Sequence, residues 1–287
     1  MKLHPKKQKD VIALMDKGLK LAAQDRHSEA IVVWDKLVDR FGSGKAFPGV
    51  MNFVAAALMS KTIALGELGQ YEALIAVSDD LEARFGDSDT PIIRQQVVSG
   101  LHSKSVALHK MGRREESLAV CDDAVNRFGD SDFPGIMNAL APLLLHKSLL
   151  LYELNRKEEA VRVSAETAAR FEHSTDPSLM ETTANAMFRE GGFLADLGRN
   201  AEALAAFERL VQRFENNRNP EVRQLVSMAV ANQDALRQQV KTGEITEAVN
   251  AGMSAMESIL EGDDLNETEK SSLADMLHRL DHDKKAP

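Results

Sequence analysis

An Arg-Phe dipeptide recurs five times along the chain at an almost constant interval. Successive copies lie 44, 43, 43 and 43 residues apart. The copies are Arg40-Phe41, Arg84-Phe85, Arg127-Phe128, Arg170-Phe171 and Arg213-Phe214. A recurrence in this range is typical of a repeat array, in which each unit buries its apolar face by stacking on its neighbours. We therefore expect the 287 residues to form one array instead of one or two globular cores.

One unit, residues 112–154, shows what each copy is expected to fold into. Apolar residues three and four positions apart predict a short amphipathic helix that ends at Phe128. Gly129 follows it and is expected in the left-handed conformation that often ends a helix. Pro134 suits the first turn of a longer helix, which the apolar pattern extends to Leu154.

The same punctuation recurs in the other units. A proline follows each dipeptide by six or seven residues, at Pro48, Pro91, Pro134, Pro177 and Pro220. Tight turns are expected 43 residues apart, at Gly69, Gly112, Asn155 and Gly198. Because these signals are independent of the Arg-Phe recurrence, the sequence predicts an all-α fold of stacked helix pairs.

Two segments around the predicted turns, 64–73 and 197–203, resemble the tetratricopeptide repeat. In both, a glycine turn is followed by an acidic residue and a small alanine, as in that family. The usual unit of the family has about 34 residues, so these copies resemble a long-period, bacterial-type form of about 43 residues. The resemblance implies a right-handed superhelical α-α solenoid of helix hairpins.

The resemblance covers roughly residues 8 to 260, and we expect the solenoid to occupy residues 1–262. Extending the pattern gives about six helix pairs. The sixth pair is degenerate. Its long helix is expected to run from Pro220 to near Gly243, and a shorter helix follows. Asn266 and Glu269 resemble a capping box. They predict a C-terminal helix within residues 263–287 that covers the end of the stack.

Composition and missing motifs narrow the function. The net charge of −9 argues against nucleic acid as the main partner, since that binding needs a cationic surface. Cys121 is the only cysteine, which excludes an intrachain disulfide and a cysteine-cluster metal site. No complete catalytic, nucleotide or zinc motif occurs, so we expect no enzyme activity, no cofactor and no metal. No signal peptide and no membrane span of about 20 apolar residues is evident, which favours a cytoplasmic protein.

In the resembled family, ligands lie along a concave groove formed by the first helix of each pair, here the longer one. The positions that would face that groove carry apolar side chains with polar ones between them, which suits a partner peptide or helix. These positions hold Met59, Ser60, Ile63, His102, Ser103, Val106, His109, Leu145, His146, Leu149, Tyr152, Phe188 and Arg189. The resemblance therefore implies a non-catalytic protein–protein interaction scaffold or adaptor whose partner is another protein or peptide.

Alternatives stay open at the level of sequence. A ligand or peptide in the groove would make the chain a regulatory sensor. A homo-oligomer could form through the C-terminal helices, including the stripe Met253, Met256 and Leu260.

Lysines recur at one position of the repeat, at Lys17, Lys61, Lys104 and Lys147, with Glu190 in the fifth place. This series is consistent with a cationic ladder for an acidic peptide. It is equally consistent with lysines whose stems pack and whose ammonium groups stay in water.

Overall fold

The computed structural model describes residues 5–42 and 48–261, and every regular element among them is an α-helix. Ten of the helices form five consecutive pairs, each a long helix followed by a short one. The pairs are α1 Pro5–Ala22 with α2 His27–Phe41, α3 Pro48–Glu67 with α4 Tyr71–Phe85, α5 Pro91–Lys110 with α6 Arg114–Phe128, α7 Pro134–Glu153 with α8 Lys157–Phe171, and α9 Pro177–Asp196 with α10 Asn200–Phe214. The eleventh helix, α11, is Pro220–Glu261. The predicted all-α array of stacked pairs is confirmed for the described residues.

The chain divides into two compact units, Met1–Val226 and Ser227–Pro287. The first unit contains the five helix pairs, and within it each helix contacts the next along the chain. Consecutive long helices also contact one another. In the second unit, the described residues are the continuation of α11.

Proline begins every long helix from α3 to α11, as the sequence predicts. A proline at the first helical position loses no hydrogen bond, because the first N–H groups of a helix have no partner within it. Side-chain caps add to this at two helices. Asp176 Oδ1 accepts hydrogen bonds from the N–H groups of Ser178 and Leu179 at the start of α9. Asn219 Oδ1 does the same for Glu221 and Val222 at the start of α11.

The turn inside each pair contains one residue with a left-handed backbone. The values of φ are +67° at Gly69, +78° at Gly112, +59° at Asn155 and +72° at Gly198, with +58° at Asp25 in the first pair. Glycine, asparagine and aspartate are the residues that tolerate this conformation best. The four predicted turn positions are confirmed.

The residue after each Arg-Phe does not adopt the left-handed conformation expected for Gly129. Gly129 has φ −57° and ψ −36°, which is right-handed helical geometry. Glu172 and Glu215, at the same position in later pairs, have nearly the same angles. Since this geometry suits any L-residue, glutamate replaces glycine there without backbone strain.

A size-matched contact joins the two helices in the first, third and fifth pairs. A Cβ atom added to Gly18 would lie 2.2 Å from Trp34 Nε1, and one added to Gly191 would lie 2.7 Å from Phe207 Cε1. At the same two positions in the third pair, Ser105 Oγ lies 3.0 Å from Cys121 Sγ. A large residue on the short helix is thus matched by glycine on the long one, and a small residue by serine.

These short-helix side chains lie in the core. Trp34 and Phe207 are each 1% exposed, and Cys121 is completely buried. Burial raises the pKa of the Cys121 thiol to about 11, so the group remains a neutral thiol near neutral pH.

The Arg-Phe dipeptide joins a pair to the one before it at three junctions. All five phenylalanines are buried in the core. The arginines donate hydrogen bonds to the carbonyl that follows the previous short helix: Arg84 to Gly42 at 3.2 Å, Arg127 to Gly86 at 3.1 Å, and Arg170 to Gly129. Carbonyl groups at the end of a helix lack partners within it, so the arginine satisfies a group that the helix leaves open.

The structure has no break at Gly243, although the sequence predicts that the two helices of a sixth pair are separated there. One helix runs without interruption from Pro220 to Glu261. A single glycine inside a helix costs only about 1 kcal/mol relative to alanine, and the good helix formers on either side of Gly243 outweigh it. The helix predicted within residues 263–287, with Asn266 and Glu269 at its start, lies outside the described residues, as do the side chains of Met253, Met256 and Leu260.

Two long helices are apolar enough, by length and composition alone, to span a membrane. They are Gly49–Glu67 in α3, with mean hydropathy 1.4, and Pro134–Glu153 in α7, with mean hydropathy 1.2. This differs from the expectation that the chain has no apolar stretch long enough to span a membrane. In the array, 44% and 50% of the residues in these windows are buried, and packing against neighbouring helices accounts for their apolar character.

The size-matched contact can be tested by exchanging one pair for another. Gly191→Ser should lower the free energy of unfolding by about 1–3 kcal/mol through overpacking against Phe207. Phe207→Cys should cost about 3–5 kcal/mol through a cavity. The double variant recreates the Ser105 and Cys121 combination, so its destabilisation in urea should be smaller than the sum of the two. Simple additivity would contradict the matching.

Candidate functional site

The predicted groove residues lie on α3, α5, α7 and α9, at four positions that recur from one long helix to the next. The first position holds Met59, His102, Leu145 and Phe188; the second Ser60, Ser103, His146 and Arg189; the third Ile63, Val106 and Leu149; the fourth His109 and Tyr152. Because consecutive long helices are in contact, these positions form adjoining rows. We call this surface the long-helix face. Ile63 is 53% exposed, whereas the other members are partly buried.

An open cleft of about 300 Å³ lies on this face between α3 and α5. Four predicted residues line it: Ile63, His102, Ser103 and Val106. The remaining lining residues were not predicted; they are Thr62, Gly66, Glu67, Tyr71, Leu74, Ala107 and Lys110. Its walls are therefore mainly apolar, with a lysine and a glutamate beside them.

Gly66 opens this cleft. It occupies the position that holds His109 in α5 and Tyr152 in α7, so the side chain that lies against the next long helix elsewhere is absent here. Tyr71 and Leu74 reach the cleft from the short helix α4. They are not among the predicted site residues, because the predicted groove is formed by the long helices alone. The contrast between Gly66 and its larger counterparts is a signal that could have located the cleft.

Three imidazoles meet at the next junction, between α5 and α7. The ring centroids of His102 and His146 are 6.1 Å apart, and those of His109 and His146 are 5.1 Å apart. His109 Nε2 lies 2.8 Å from Glu153 Oε2, which also accepts a hydrogen bond from Arg114 at 2.7 Å. No group of three or more His, Cys, Asp or Glu residues in the described part of the chain is arranged to hold a metal ion.

Burial keeps two of these imidazoles neutral. It lowers the pKa of His102 from 6.5 to about 4. It also lowers the pKa of His146 to about 4, with smaller contributions from the charges of His102, His109 and Arg189. His146 Nε2 is 3.5 Å from Ser117 Oγ on α6. The imidazoles of His102 and His146 therefore act near neutral pH as uncharged packing groups between two repeats.

The predicted residues at the α7–α9 junction make hydrogen bonds and a ring contact between these two helices. Arg189 donates hydrogen bonds to the Leu145 carbonyl and, at 3.3 Å, to Ser148 Oγ. The Tyr152 hydroxyl donates to Asp196, and its ring stacks on Phe193 with centroids 4.5 Å apart. This end of the long-helix face is thus closed by internal contacts.

The lysine series is not a free cationic ladder. Ion pairs to the preceding short helix hold three of its members: Lys61 to Asp35 at 2.6 Å, Lys104 to Asp79 at 2.5 Å and Lys147 to Asp122 at 2.7 Å. Each of these lysine side chains is about one-fifth exposed. The ladder hypothesis is wrong for these three residues. The lysine stems pack, as the alternative expects, and the ammonium groups pair with aspartates of the preceding repeat.

The fourth junction changes both partners together. Ala165 replaces the aspartate and Glu190 replaces the lysine. Glu190 is instead bound by Arg209 of the following helix at 2.7 and 2.8 Å. Although Arg209 opposes the shift, burial raises the pKa of Glu190 above its usual range.

Similarity to known proteins agrees with this architecture. Residues 185–217, from α9 into the connector after α10, match the family model of the tetratricopeptide repeat. No curated protein sequence matches the chain.

Two solved structures show a distant likeness. A thermophilic tetratricopeptide repeat protein from Thermus thermophilus is 17% identical, with 77% of this chain and 99% of that chain covered and a TM-score of 0.45. PlcR from Bacillus thuringiensis, solved in complex with the peptide PapR7 and DNA, is 13% identical, with coverage of 82% and 76% and a TM-score of 0.47.

A long helix, a positive-φ turn and a short helix, repeated five times, define an array of helical hairpins. The match of residues 185–217 to the tetratricopeptide repeat model supports the resemblance that the sequence predicts.

The imidazole cluster predicts a pH-dependent stability. A group whose pKa is lowered on folding binds fewer protons in the folded state, so its contribution is complete above the unfolded value of 6.5 and is lost as the pH falls towards 4. The urea midpoint should therefore fall between about pH 7 and about pH 5. The variant His102→Leu with His146→Ser, which uses residues found elsewhere at these positions, should show a weaker dependence. His173→Gln, at an exposed site, should behave as wild type; equal slopes in all three proteins would contradict the assignment.

Proposed function

We propose that the chain is a non-catalytic protein-interaction scaffold that binds a peptide or helix of a partner protein on the long-helix face, with the α3–α5 cleft as the anchor point. The observation that carries the proposal is the combination of the cleft with the exposed Ile63 at its edge. Elsewhere on this face, side chains from one repeat close against the next. Here they leave an apolar recess open to solvent.

The residues around the cleft favour a peptide ligand. Ile63, Val106, Tyr71 and Leu74 offer an apolar lining for a partner side chain. Ser103, His102 and Lys110 supply polar groups that can bind a peptide backbone or a carboxylate. An apolar recess with polar groups at its edge is the arrangement used to bind an anchored peptide.

The chemistry of the described residues supports a binding role without catalysis. Cys121 is a buried neutral thiol, and His102 and His146 are uncharged packing groups. Neither has the activated character of a nucleophile or a general base.

A matched pair of surface substitutions tests the location of the binding face. Ile63→Gln should lose at least about tenfold in affinity for a partner recovered from the native cell, because it removes an apolar contact at the cleft. Ile92→Gln changes the same residue type at nearly the same exposure, 50% against 53%, at the first turn of α5. It should bind as wild type. Equal binding by both variants, measured by calorimetry on purified partner, would place the interface elsewhere.

A second variant fills the cleft without removing any group. Gly66→His should retain the fold, because a Cβ at this position meets only Leu74 Cδ1 at 3.4 Å, and histidine stands at the equivalent position in α5. We expect unchanged circular dichroism and loss of partner binding. Retained affinity in a folded Gly66→His protein would exclude the cleft as the anchor point.

A further inference from the structure

The outer side of α1 presents a docking position that is filled at the next three long helices. In α3, α5 and α7, a lysine binds an aspartate of the preceding short helix. Lys17 holds the equivalent position in α1, and no helix precedes α1 among the described residues. Lys17 has no carboxylate within ion-pair distance in that part of the chain. The nearby Glu29, which feels its charge, is bound by Arg26 at 2.7 Å.

An open cleft of about 470 Å³ marks this side of α1. It is lined by Ala13, Asp16, Lys17, Lys20, Leu21 and Gln24. Ala13 is exposed, whereas the residues at its position in the later long helices are buried. Those residues are Ala57, Gly100, Leu143 and Ala186. The cleft therefore lies where the later long helices contact the short helix that precedes them.

The charge of the cleft distinguishes it from the internal junctions. Lys20 replaces a residue that is alanine or leucine in α3, α5 and α7, where it is buried. Two ammonium groups, Lys17 and Lys20, thus face the cleft together with one carboxylate, Asp16. In a chain with a net charge of −9, this local excess of positive charge favours an acidic ligand.

We propose that this face of α1 is a docking site for an acidic helix of a partner protein, seated as each short helix is seated on the following long helix, with one carboxylate bound to Lys17. A second carboxylate on the partner would bind Lys20. The short helices of another copy are poorer occupants, because Asp35, Asp79 and Asp122 already bind lysines within their own chain. This site is separate from the long-helix face and does not depend on the function proposed for it.

The experiment uses the full chain and a helix of known seating as the probe. A peptide with the 15-residue sequence of α4, cross-linked between the exposed positions 72 and 76 to keep it helical, carries the Asp79 that binds Lys104 within the protein. We expect saturable binding by fluorescence anisotropy. Lys17→Glu should weaken it at least about tenfold, and a peptide with Asp79→Lys should restore binding to that variant.

Lys36→Glu is the matched control, since Lys36 is an exposed lysine on α2, and it should leave the affinity unchanged. Absence of binding to the wild-type chain would overturn the proposal, as would an equal loss in both variants or no restoration by the Asp79→Lys peptide. If sedimentation shows oligomers of the full chain that Lys17→Glu dissociates, the occupant is a second copy and the assignment to a partner protein is wrong.

Discussion

The close contact between the two helices of each pair is the constraint on which the array depends. It brings together two positions whose side chains must fit each other, since a folded interior has little free space. Glycine faces tryptophan or phenylalanine in the first and fifth pairs, whereas serine faces cysteine in the third. A large residue on the short helix is thus accommodated by the absence of a side chain on the long one. This allows the same hairpin to be repeated with a different surface each time.

Polar contacts between pairs add to an apolar core that runs through successive helices, and they use groups that a helix cannot satisfy alone. The arginine of each Arg-Phe binds a carbonyl beyond the end of the preceding short helix at three junctions. The lysine–aspartate ion pairs join each of three long helices to the short helix before it. At the fourth junction, lysine becomes glutamate and aspartate becomes alanine, so no unpaired ammonium group is left partly buried. An unpaired charge there would cost several kcal/mol, which explains why the two positions change together.

The sequence predicted the parts of the fold that are set locally. Helix starts at the prolines and turns at Gly69, Gly112, Asn155 and Gly198 follow from φ restrictions that one residue can impose. Gly129 and Gly243 were misjudged because glycine permits a left-handed conformation or a break without requiring either. A glycine predicts a left-handed turn well where the same position in other repeats also holds glycine or asparagine. It carries little weight where glutamate takes the same place.

The candidate site was harder to predict, because it depends on which side chains are absent or already occupied. The repeat predicts which long-helix positions share a face, but it does not predict which of their side chains are free to bind a ligand. Arg189 and Tyr152 are held at the α7–α9 junction, and the three imidazoles pack at the α5–α7 junction. The α3–α5 junction lacks the side chain that would lie there, because Gly66 stands at the position of His109 and Tyr152. Where a rigid array leaves one recess already formed, a ligand can bind it with little cost in ordering the protein. Under the proposed function, the packing that closes the neighbouring junctions would therefore concentrate peptide binding at this one.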